Sequence, residues 1–477
     1  MKNRVKQMLT SPCAVVGVGI SNRPLIDFLL SCGMEVTARD RKEEGELGTL
    51  PEELRRKGVR CVFGADYLED LREPTVFRSP GLRPDVPQLR RARENGALIL
   101  SEMELFMSLT PAYILGVTGS DGKTTTTTLV GKLLEAECRR RGKGRVFVGG
   151  NIGEPLLPLV DRMTAEDYAV VELSSFQLMD MDCYFYRAAI TNVTPNHLDW
   201  HTGMEEYIRA KENAIRRAGV AVLNADNGET ARMAKKRGRD MILFSSSETT
   251  WHGVMRHVFG EDIAGENVAA VYVRDGVIRY GDGRTEWEVL STEEIRVPGK
   301  HNVENYMTAI AMTWGAVDVS VYGAVARVFM GVPHRLELVR EKDGVRYYNS
   351  SIDSSPTRTA AALRALDGGI VAICGGYDKK IPMEPLAEVL CERVRAVVLT
   401  GATAQKIKAA LLACPAYREG APEILEAPNF ADAVAAASEA AREGECVVLS
   451  PACASFDAFR NFAERGDAFK ALVRDME

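Results

Sequence analysis

A lysine and a run of threonines follow a glycine-rich turn near residue 120. The apolar segment 114–117 leads into Gly119-Ser120-Asp121-Gly122-Lys123-Thr124-Thr125, and leucines at helical spacing follow it. The N–H groups of such a turn and the start of the helix form a cradle for phosphate groups. Lys123 is expected at the terminal phosphates and the Thr124 hydroxyl at Mg²⁺. The stretch therefore predicts a nucleotide site, although Val117 stands where the strict pattern has glycine.

A plain threonine-rich helix after a tight turn is the simpler reading of the same residues. Threonine is a mediocre helix former, so five consecutive threonines after Gly122-Lys123 favour phosphate binding over that reading.

Polar side chains also follow the next predicted strands. Glu172 ends the apolar segment 168–172, and His197 lies in the loop after segment 188–193. Parallel sheets place their ligands at the carboxyl ends of strands, where a carboxylate suits Mg²⁺. An acid at a helix start is the alternative for Glu172, and a surface or core residue is the alternative for His197. Composition alone predicts that Lys211, on a helix over 207–215, is solvated.

The first 100 residues begin with a Rossmann-like pattern. A short strand at 13–16 precedes Gly17-Val18-Gly19-Ile20-Ser21-Asn22, and a second strand ends at Asp40. Asn22 replaces the third glycine of the dinucleotide fingerprint, which disfavours a nicotinamide cofactor. A nucleoside diphosphate on the helix start, with Asp40 near its base or sugar, is equally compatible. The alternative for Asp40 is an exposed carboxylate at a strand end.

The last third of the chain alternates strands and helices, which predicts a small parallel sheet with a ligand at its carboxyl edge. Its four strands are predicted near 345–349, 370–374, 396–400 and 446–449. Residues 250–297 predict short antiparallel strands instead, with turns at 274–276 and 281–283. The helix that opens at 300 places Asn302 and Asn305 on one face.

The length of 477 residues predicts about three domains, and the alternation of strands and helices predicts the α/β class. A net charge of −6 disfavours a general nucleic-acid binder. Ten scattered cysteines without a CxxC pair predict reduced cytosolic thiols. The N-terminus does not have the apolar core of a signal peptide, and no run reaches the roughly 20 apolar residues of a membrane span. We expect a cytoplasmic protein without a membrane segment.

Taken together, these motifs resemble the Mur ligase family of peptidoglycan synthesis over essentially the whole chain. The matching runs cover residues 119–125, 150–153, 172–177, 192–199, 300–302, 333–335 and 449–466. The family also has the departure at Val117. The closing run from Leu449 is most similar to the members that add D-glutamate.

The resemblance implies three domains: a Rossmann-like UDP-binding domain at 1–111, a central P-loop ATPase-like domain with a mainly parallel sheet at 112–332, and a C-terminal Rossmann-like α/β domain for the amino acid at 333–477. It implies a monomer that joins D-glutamate to UDP-N-acetylmuramoyl-L-alanine (UDP-MurNAc-L-Ala) with ATP, through an acyl phosphate. Two Mg²⁺ ions and a carbamylated Lys211 belong to the same expectation.

The resemblance also implies a role for each matching site residue. The residues expected to act in catalysis are Lys123, Glu172, His197 and Lys211. Those expected to bind the metals are Thr124, Glu172, His197 and Lys211. Those expected to bind ATP are Gly119, Ser120, Asp121, Gly122, Lys123, Thr124, Thr125, Asn302, Asn305, Arg335 and Asp353. Those expected to bind the UDP-linked substrate are Ser21, Asn22, Asp40, Arg41, Ser79, Asn151 and His197. Those expected to bind D-glutamate are Ser354, Lys379, Ser455 and Phe462.

One departure concerns the nucleotide ribose. Ser350 stands where the family usually has an acid, and Asp353 follows three residues later. Either Asp353 replaces that acid or the ribose contact is weaker.

Three alternative functions fit parts of the sequence. The first is a sibling ligase that adds L-alanine or a diamino acid, which the closing run disfavours. The second is folylpolyglutamate synthase, which the UDP-type first domain disfavours. The third is a nucleotide-binding regulator or transporter ATPase without ligation, which Glu172, His197 and a third ligand-binding domain disfavour.

Overall fold

Buried aliphatic runs form the strands of three sheets in a computed structural model that describes residues 1–19, 22–197, 200–260, 267–379 and 381–476. The chain divides into two compact units. The first comprises Met1–Thr292 with Val303–Val325, and the second comprises Glu293–Asn302 with Ala326–Glu477. The predicted α/β class is confirmed, and Ser21 lies outside the described residues.

The first sheet has five parallel strands in the order β3-β2-β1-β4-β5. Its strands are β1 (Cys13–Val16), β2 (Val36–Asp40), β3 (Arg60–Phe63), β4 (Thr75–Arg78) and β5 (Leu98–Leu100). The helices of this region are α1 (Lys2–Met8), α2 (Asn22–Ser31), α3 (Leu50–Arg56), α4 (Pro87–Glu94) and α5 (Glu102–Leu109). All four residues of β1 are buried because this strand lies at the centre of the sheet.

The second sheet has nine strands in the order β14-β13-β12-β11-β10-β9-β6-β8-β7. They are β6 (Tyr113–Thr118), β7 (Val146–Gly150), β8 (Tyr168–Glu172), β9 (Phe185–Ile190), β10 (Ala218–Asn224), β11 (Met241–Ser245), β12 (Val268–Arg274), β13 (Val277–Gly281) and β14 (Glu286–Ser291). Strands β6–β12 are parallel, and β13 and β14 are antiparallel additions at one edge. The helices that follow β6 are α6 (Lys123–Arg141), α7 (Ser175–Leu178), α8 (Met204–Arg216), α9 (Gly228–Arg237), α10 (Trp251–Phe259), α11 (Lys300–Thr313) and α12 (Val319–Ala326).

The expectation of antiparallel strands from residue 250 is wrong at its start. Residues 251–259 form α10, which buries Val254, Met255 and Val258 on one face. The Thr250 side chain caps this helix by accepting from the Gly253 N–H. The two predicted turns separate β12, β13 and β14 as expected.

The third sheet has six strands in the order β15-β16-β20-β17-β18-β19. They are β15 (Glu337–Lys342), β16 (Val345–Asn349), β17 (Ile370–Gly375), β18 (Ala396–Thr400), β19 (Glu423–Glu426) and β20 (Cys446–Leu449). The helices are α13 (Pro356–Arg364), α14 (Glu384–Arg393), α15 (Ala404–Ala413), α16 (Phe430–Ala440) and α17 (Phe462–Asp475). Apolar clusters cover both faces of this sheet, so it is doubly wound.

The four predicted strands of the third sheet are present, and two edge strands join them. Strand β15 is antiparallel to β16, whereas β19 extends the parallel order beside β18. Both edge strands are hard to predict from sequence because they are partly exposed and carry charged residues rather than an apolar run.

The strand order of the second sheet determines where a ligand can bind. Strand β6 lies between β8 and β9, so Thr118, Glu172 and Ile190 end at the same edge of the sheet.

Within the described ranges, no helix has both the length and the apolar character needed to cross a bilayer. All ten cysteines lie in those ranges and are free thiols.

Candidate active site

Two glycines of the turn after β6 have backbone conformations that side chains rarely adopt. Gly119 has φ +147° and Gly122 has φ +77°. A Cβ atom on Gly119 would lie 1.9 Å from Thr191 Oγ1, and one on Gly122 would lie 2.4 Å from Asn305 Oδ1. Both the conformation and the space therefore require glycine at these positions. The turn delivers the chain directly into α6, which begins at Lys123.

The loop after β9 supports the turn through its polar side chains. The Asp121 N–H donates to Asn192 Oδ1 at 2.9 Å. Ser120 Oγ is 2.9 Å from both the Thr194 N–H nitrogen and the Tyr207 hydroxyl. Ser120 is almost fully buried. The turn is thus fixed before any ligand arrives, as a phosphate cradle requires.

Two lysines converge on one backbone carbonyl of the turn. Lys123 Nζ donates to Gly119 O at 3.0 Å, and Lys211 Nζ donates to the same oxygen at 2.7 Å. Composition alone predicted a solvated Lys211, and this is wrong because the side chain is only 1% exposed. Burial, with repulsion from Lys123, lowers the pKa of Lys211 to about 6, while Asp121 acts in the opposite direction. The Lys211 amine is therefore largely neutral at neutral pH.

Glu172 brings a buried carboxylate to the same edge of the sheet. Its Oε1 accepts a hydrogen bond from Asn151 Nδ2 at 2.9 Å. Its Oε2 is buried and has no hydrogen-bond partner among the described residues. An orphaned, buried carboxylate oxygen beside a phosphate cradle fits a cation.

The predicted ligands Thr124 and Glu172 suit an ion that is also bound to a nucleotide. Within the described ranges, no cluster of three His, Cys, Asp or Glu side chains could hold a metal without further ligands. Mg²⁺ bound to a nucleotide needs only one or two protein ligands, because phosphates and waters complete its shell. Thr124, in the first turn of α6, and Glu172 are enough for one such ion.

His197 belongs to an aromatic cluster at the edge of the second sheet. It is exposed, has φ +54°, and meets the Phe176 ring edge-on at 5.0 Å between ring centroids. Phe176 also contacts Trp200 and His201. His201 is not among the residues predicted from the sequence, although it is buried and bonded on both ring nitrogens. Its only sequence signal is its position four residues after His197.

The polar residues expected around UDP shape the glycine turn after β1. Asn22 Nδ2 donates to Val16 O and Gly17 O. Asp40 Oδ2 accepts from the Val18 N–H at 2.8 Å, and its other oxygen accepts from the Lys42 N–H at 3.0 Å. Asp40 thus holds the turn rather than projecting freely from a strand end.

Two further residues of this predicted set lie near the same turn. Ser79 follows β4, and its N–H donates to Val16 O at 3.0 Å. A Cβ on Gly17 would lie 2.8 Å from the Ser79 Cβ, so the two segments are in close contact. Arg41 is exposed at the end of β2. The structure therefore brings Asn22, Asp40 and Ser79 together around one turn.

The residues expected to hold D-glutamate belong to the second unit. Lys379 Nζ lies 3.2 Å from Ser354 Oγ, which places these two side chains together. Ser455 is buried, whereas Phe462 is 41% exposed at the start of α17. The Phe462 ring meets His334, the neighbour of Arg335, edge-on at 5.9 Å between ring centroids.

The remaining ATP residues have different surroundings. Asn302 Nδ2 donates to Pro298 O at 2.6 Å, and Asn305 Oδ1 accepts from Thr126 Oγ1 at 3.2 Å. Asp353 is buried, and its Oδ2 accepts from Ser450 Oγ at 2.9 Å. Burial raises the pKa of Asp353, against hydrogen bonds from Ser350 and Ser450. Its carboxylate is therefore bonded within the second unit, and a contact of Asp353 with the nucleotide ribose stays a prediction.

Two family models match the chain, and they cover most of its last two thirds. The model of the Mur ligase middle domain matches residues 117–313. The model of the Mur ligase glutamate ligase domain matches residues 334–453.

Curated relatives match almost the whole chain. UDP-N-acetylmuramoylalanine–D-glutamate ligase of Clostridium novyi is 44% identical over 467 residues, covering 97% of this chain and 96% of the relative. The protein of the same name from Acetivibrio thermocellus is 41% identical over 479 residues, covering 99% and 98%.

Solved structures share the fold at low sequence identity. UDP-N-acetylmuramate-alanine ligase of Thermotoga maritima is 18% identical, with a TM-score of 0.54 and coverage of 98% of this chain and 100% of that one. A UDP-N-acetylmuramoyl-L-alanyl-D-glutamate–2,6-diaminopimelate ligase is 16% identical, with a TM-score of 0.54 and coverage of 98% and 93%. The phosphate cradle at Gly119–Lys123 agrees with both domain matches and with the identity to full-length relatives. The chain therefore belongs to the Mur ligase family.

Proposed function

We propose that this chain is an ATP-dependent ligase that joins D-glutamate to UDP-MurNAc-L-Ala. The observation that carries the chemistry is the phosphate cradle with Lys123, Lys211 and the orphaned Glu172 oxygen at one sheet edge. The substrates are those in the names of the relatives that match 97–99% of the chain. Their identity of 41–44% favours this activity over those of the sibling ligases.

The need for ATP follows from the chemistry of a carboxylate. Its carbon is electron-rich and resists attack by an amine. In the first step a carboxylate oxygen attacks the γ-phosphorus of ATP, and ADP leaves. In the second step the amine of D-glutamate attacks the carbonyl carbon of the acyl phosphate. The tetrahedral intermediate then expels phosphate, which retains the former carboxylate oxygen, and the amine loses a proton.

Catalysis by this chain is mainly positioning and charge neutralisation between anions. Lys123 and the N–H groups of residues 119–125 bind the ATP phosphates. Thr124 and Glu172 would hold one Mg²⁺, and His197 with Lys211 would serve a second. When bound, these ions would offset the negative charge of the phosphates.

A carbamate on Lys211 fits the environment of that side chain. Carbamylation joins the neutral amine to CO₂ and releases a proton, so it requires the lowered pKa that burial produces. The product is an anion, which removes the repulsion between Lys211 and Lys123 and suits a divalent cation. Lys211 would then serve the metal through its carbamate group rather than contact a phosphate through its amine.

The remaining residues are assigned to the UDP-linked substrate, to ATP and to D-glutamate. Arg41 and the turn formed by Asn22, Asp40 and Ser79 would surround the UDP group, with Ser21 in the same turn of the sequence. Asn151 and His197 would contact the sugar-linked part of this substrate. For ATP, Asn302, Asn305 and Arg335 are the proposed contacts outside the cradle. D-glutamate would be held by Ser354, Lys379, Ser455 and Phe462.

The domain boundaries remain part of the proposal. Each predicted domain, at 1–111, 112–332 and 333–477, contains one of the three sheets. The first unit contains the first two of these sheets. We further expect a monomer that works in the cytoplasm, where its nucleotide substrates are made.

The test is phosphate release from ATP and UDP-MurNAc-L-Ala with one amino acid added at a time. D-glutamate should support turnover, whereas L-glutamate, L-alanine and diaminopimelate should not. The Lys123→Ala variant should lose this activity by about a hundredfold or more. Turnover that is independent of any amino acid would favour a regulator ATPase, and turnover with L-alanine or diaminopimelate would favour a sibling ligase.

A further inference from the structure

Arg83 connects the region of the first sheet to the loop that carries His197. It follows β4 and lies four residues after Ser79. Its guanidinium donates to Trp200 O at 2.8 Å and to both oxygens of Glu206 at 2.9 and 3.1 Å. Asp85 accepts two further bonds from the same group, at 2.8 and 2.9 Å. The fork of Arg83 is therefore held in one orientation between the two segments.

The Trp200 ring reinforces this connection. The Arg83 guanidinium lies 5.0 Å from the centroid of that ring. The indole Nε1 of Trp200 donates to Gly81 O at 3.4 Å. The backbone N–H of Trp200 donates to His197 O at 3.2 Å. A displacement of Arg83 would thus be transmitted directly to the segment that holds His197.

Glu206 is the centre of a wider network. Besides Arg83, it accepts from the Thr202 N–H at 2.9 Å and lies 3.2 Å from His201 Nδ1. Arg83 lowers the pKa of Glu206 to about 2, so this carboxylate stays charged at neutral pH. Glu206 lies in the first turn of α8, beside Tyr207 and five residues before Lys211. The network therefore fixes the start of the helix that carries Lys211.

His201 extends the network to α7, the helix that follows Glu172. A carboxylate only accepts, so His201 Nδ1 carries the hydrogen toward Glu206. Its Nε2 then accepts from Ser175 Oγ at 2.9 Å. Burial lowers the pKa of His201, although Glu206 raises it, which agrees with this neutral ring. Ser175 begins α7, three residues after Glu172.

We propose that Arg83 is a positioning residue for the UDP-linked substrate, acting through Glu206 and His201 on the segments that carry His197, Lys211 and Glu172. This inference rests on the proposed ligase activity. Arg83 aligns the segment after β4, which includes Ser79, with the residues that activate the substrate carboxylate. Its effect should therefore be largest for this substrate, because Arg83 lies four residues from Ser79 and donates to Trp200, Glu206 and Asp85 rather than to residues 119–125.

The first test compares the KM values of the three substrates in Arg83→Met and wild type. The KM for UDP-MurNAc-L-Ala should rise about tenfold, because two charge-assisted hydrogen bonds to Glu206 are lost. The KM values for ATP and D-glutamate should change less than about twofold. Arg83→Lys should recover part of the loss, because an ammonium keeps the charge but not the fork. The matched control is Arg93→Gln, which removes an exposed ion pair to Asp180 elsewhere in the first unit and should leave all three KM values unchanged.

A double-mutant cycle tests the route through Glu206. Glu206→Gln should raise the same KM, and the double variant should be no worse than the more affected single variant. Additive effects would overturn the proposed route. Equal changes in all three KM values, or unchanged values in Arg83→Met, would overturn the positioning role. Should Arg83→Met fail to fold, Arg83→Lys and Glu206→Gln test the same expectations.

A binding measurement separates this inference from the proposed function. Tryptophan fluorescence is titrated with UDP-MurNAc-L-Ala alone, and Trp200→Phe identifies the signal of Trp200. Arg83→Met should bind about tenfold more weakly than wild type, even if no ligase activity is found. An active wild type with equal binding by both proteins would refute the role of Arg83 alone. A wild type without D-glutamate-dependent turnover would refute the proposed function, and the titration would still decide the role of Arg83.

Discussion

Replacement of Lys211 by methionine should make the stability of the first unit less dependent on pH. Methionine fills a similar volume without the amine that is buried beside Gly119 O. Between pH values of about 6 and 10.5, the unfolded chain binds a proton at Lys211 that the folded chain does not. Wild-type stability therefore rises with pH through this window, and the methionine variant does not have this contribution.

The size of the effect follows from the two pKa values. The pKa falls from 10.5 to about 6, and each pH unit between these values changes the free energy of unfolding by about 1.4 kcal/mol. From about pH 7 to about pH 9.5, wild type should gain about 3 kcal/mol relative to Lys211→Met. Within this range the variant should accordingly be most stable relative to wild type at about pH 7.

Urea unfolding followed by tryptophan fluorescence measures this difference. All four tryptophans, at 200, 251, 287 and 314, lie in the same unit as Lys211. The buffers must be free of CO₂, so that the wild-type amine is not carbamylated during the measurement. Lys235→Met, which changes an exposed lysine of α9, serves as the control and should give a constant difference from wild type. A difference for Lys211→Met that does not vary with pH would refute the reasoning.

Three further variants test the cradle and the amino-acid site. Glu172→Gln should lower kcat about a hundredfold, because an amide does not offset the charge of a cation, and phosphate release across a MgCl₂ series measures this. Gly119→Ala should lose about 1–3 kcal/mol of stability, since its Cβ would lie 1.9 Å from Thr191 Oγ1; urea unfolding should show no such loss for Gly228→Ala, where space is open. Lys379→Met should raise the KM for D-glutamate about tenfold and leave that for ATP unchanged, and an equal rise in both would contradict the assignment.

The phosphate cradle could be predicted from sequence because its determinants are local. The apolar strand, the two glycines and Lys123 all lie within a few residues of one another. The supporting contacts of the cradle could not be predicted from sequence, since Thr191, Asn192 and Asn305 come from segments distant in the chain. Local chemistry thus predicted the turn, whereas only the tertiary structure explains why Gly119 and Gly122 cannot be replaced.

The burial of Lys211 had a signal that composition obscured. Lys211 lies one helical turn after Tyr207, on the same face as Ala214 and Ile215, and all four are buried. The apolar periodicity of α8 therefore places this lysine on the buried face. A lysine on such a face predicts a lowered pKa. The general preference of lysine for solvent predicts the opposite, an exposed side chain with an ordinary pKa.

The contact between Arg83 and Glu206 had no sequence signal. Arg83 and Glu206 are separated by 123 positions, and Ser175 and His201 by 26. Each of these residues is a common polar type, and no sequence motif surrounds Arg83. Only the packing of the first sheet region against the loop after β9 brings these side chains together.

The transfer of oxygen from substrate to phosphate tests the central mechanism most directly. UDP-MurNAc-L-Ala labelled with oxygen-18 in its carboxylate is incubated with the chain, ATP, Mg²⁺ and D-glutamate, and the released phosphate is analysed by mass spectrometry. An acyl phosphate requires that each phosphate carry one oxygen-18 atom from the labelled carboxylate. Phosphate without the label, at a normal rate of product formation, would contradict activation of the carboxylate by ATP in this site.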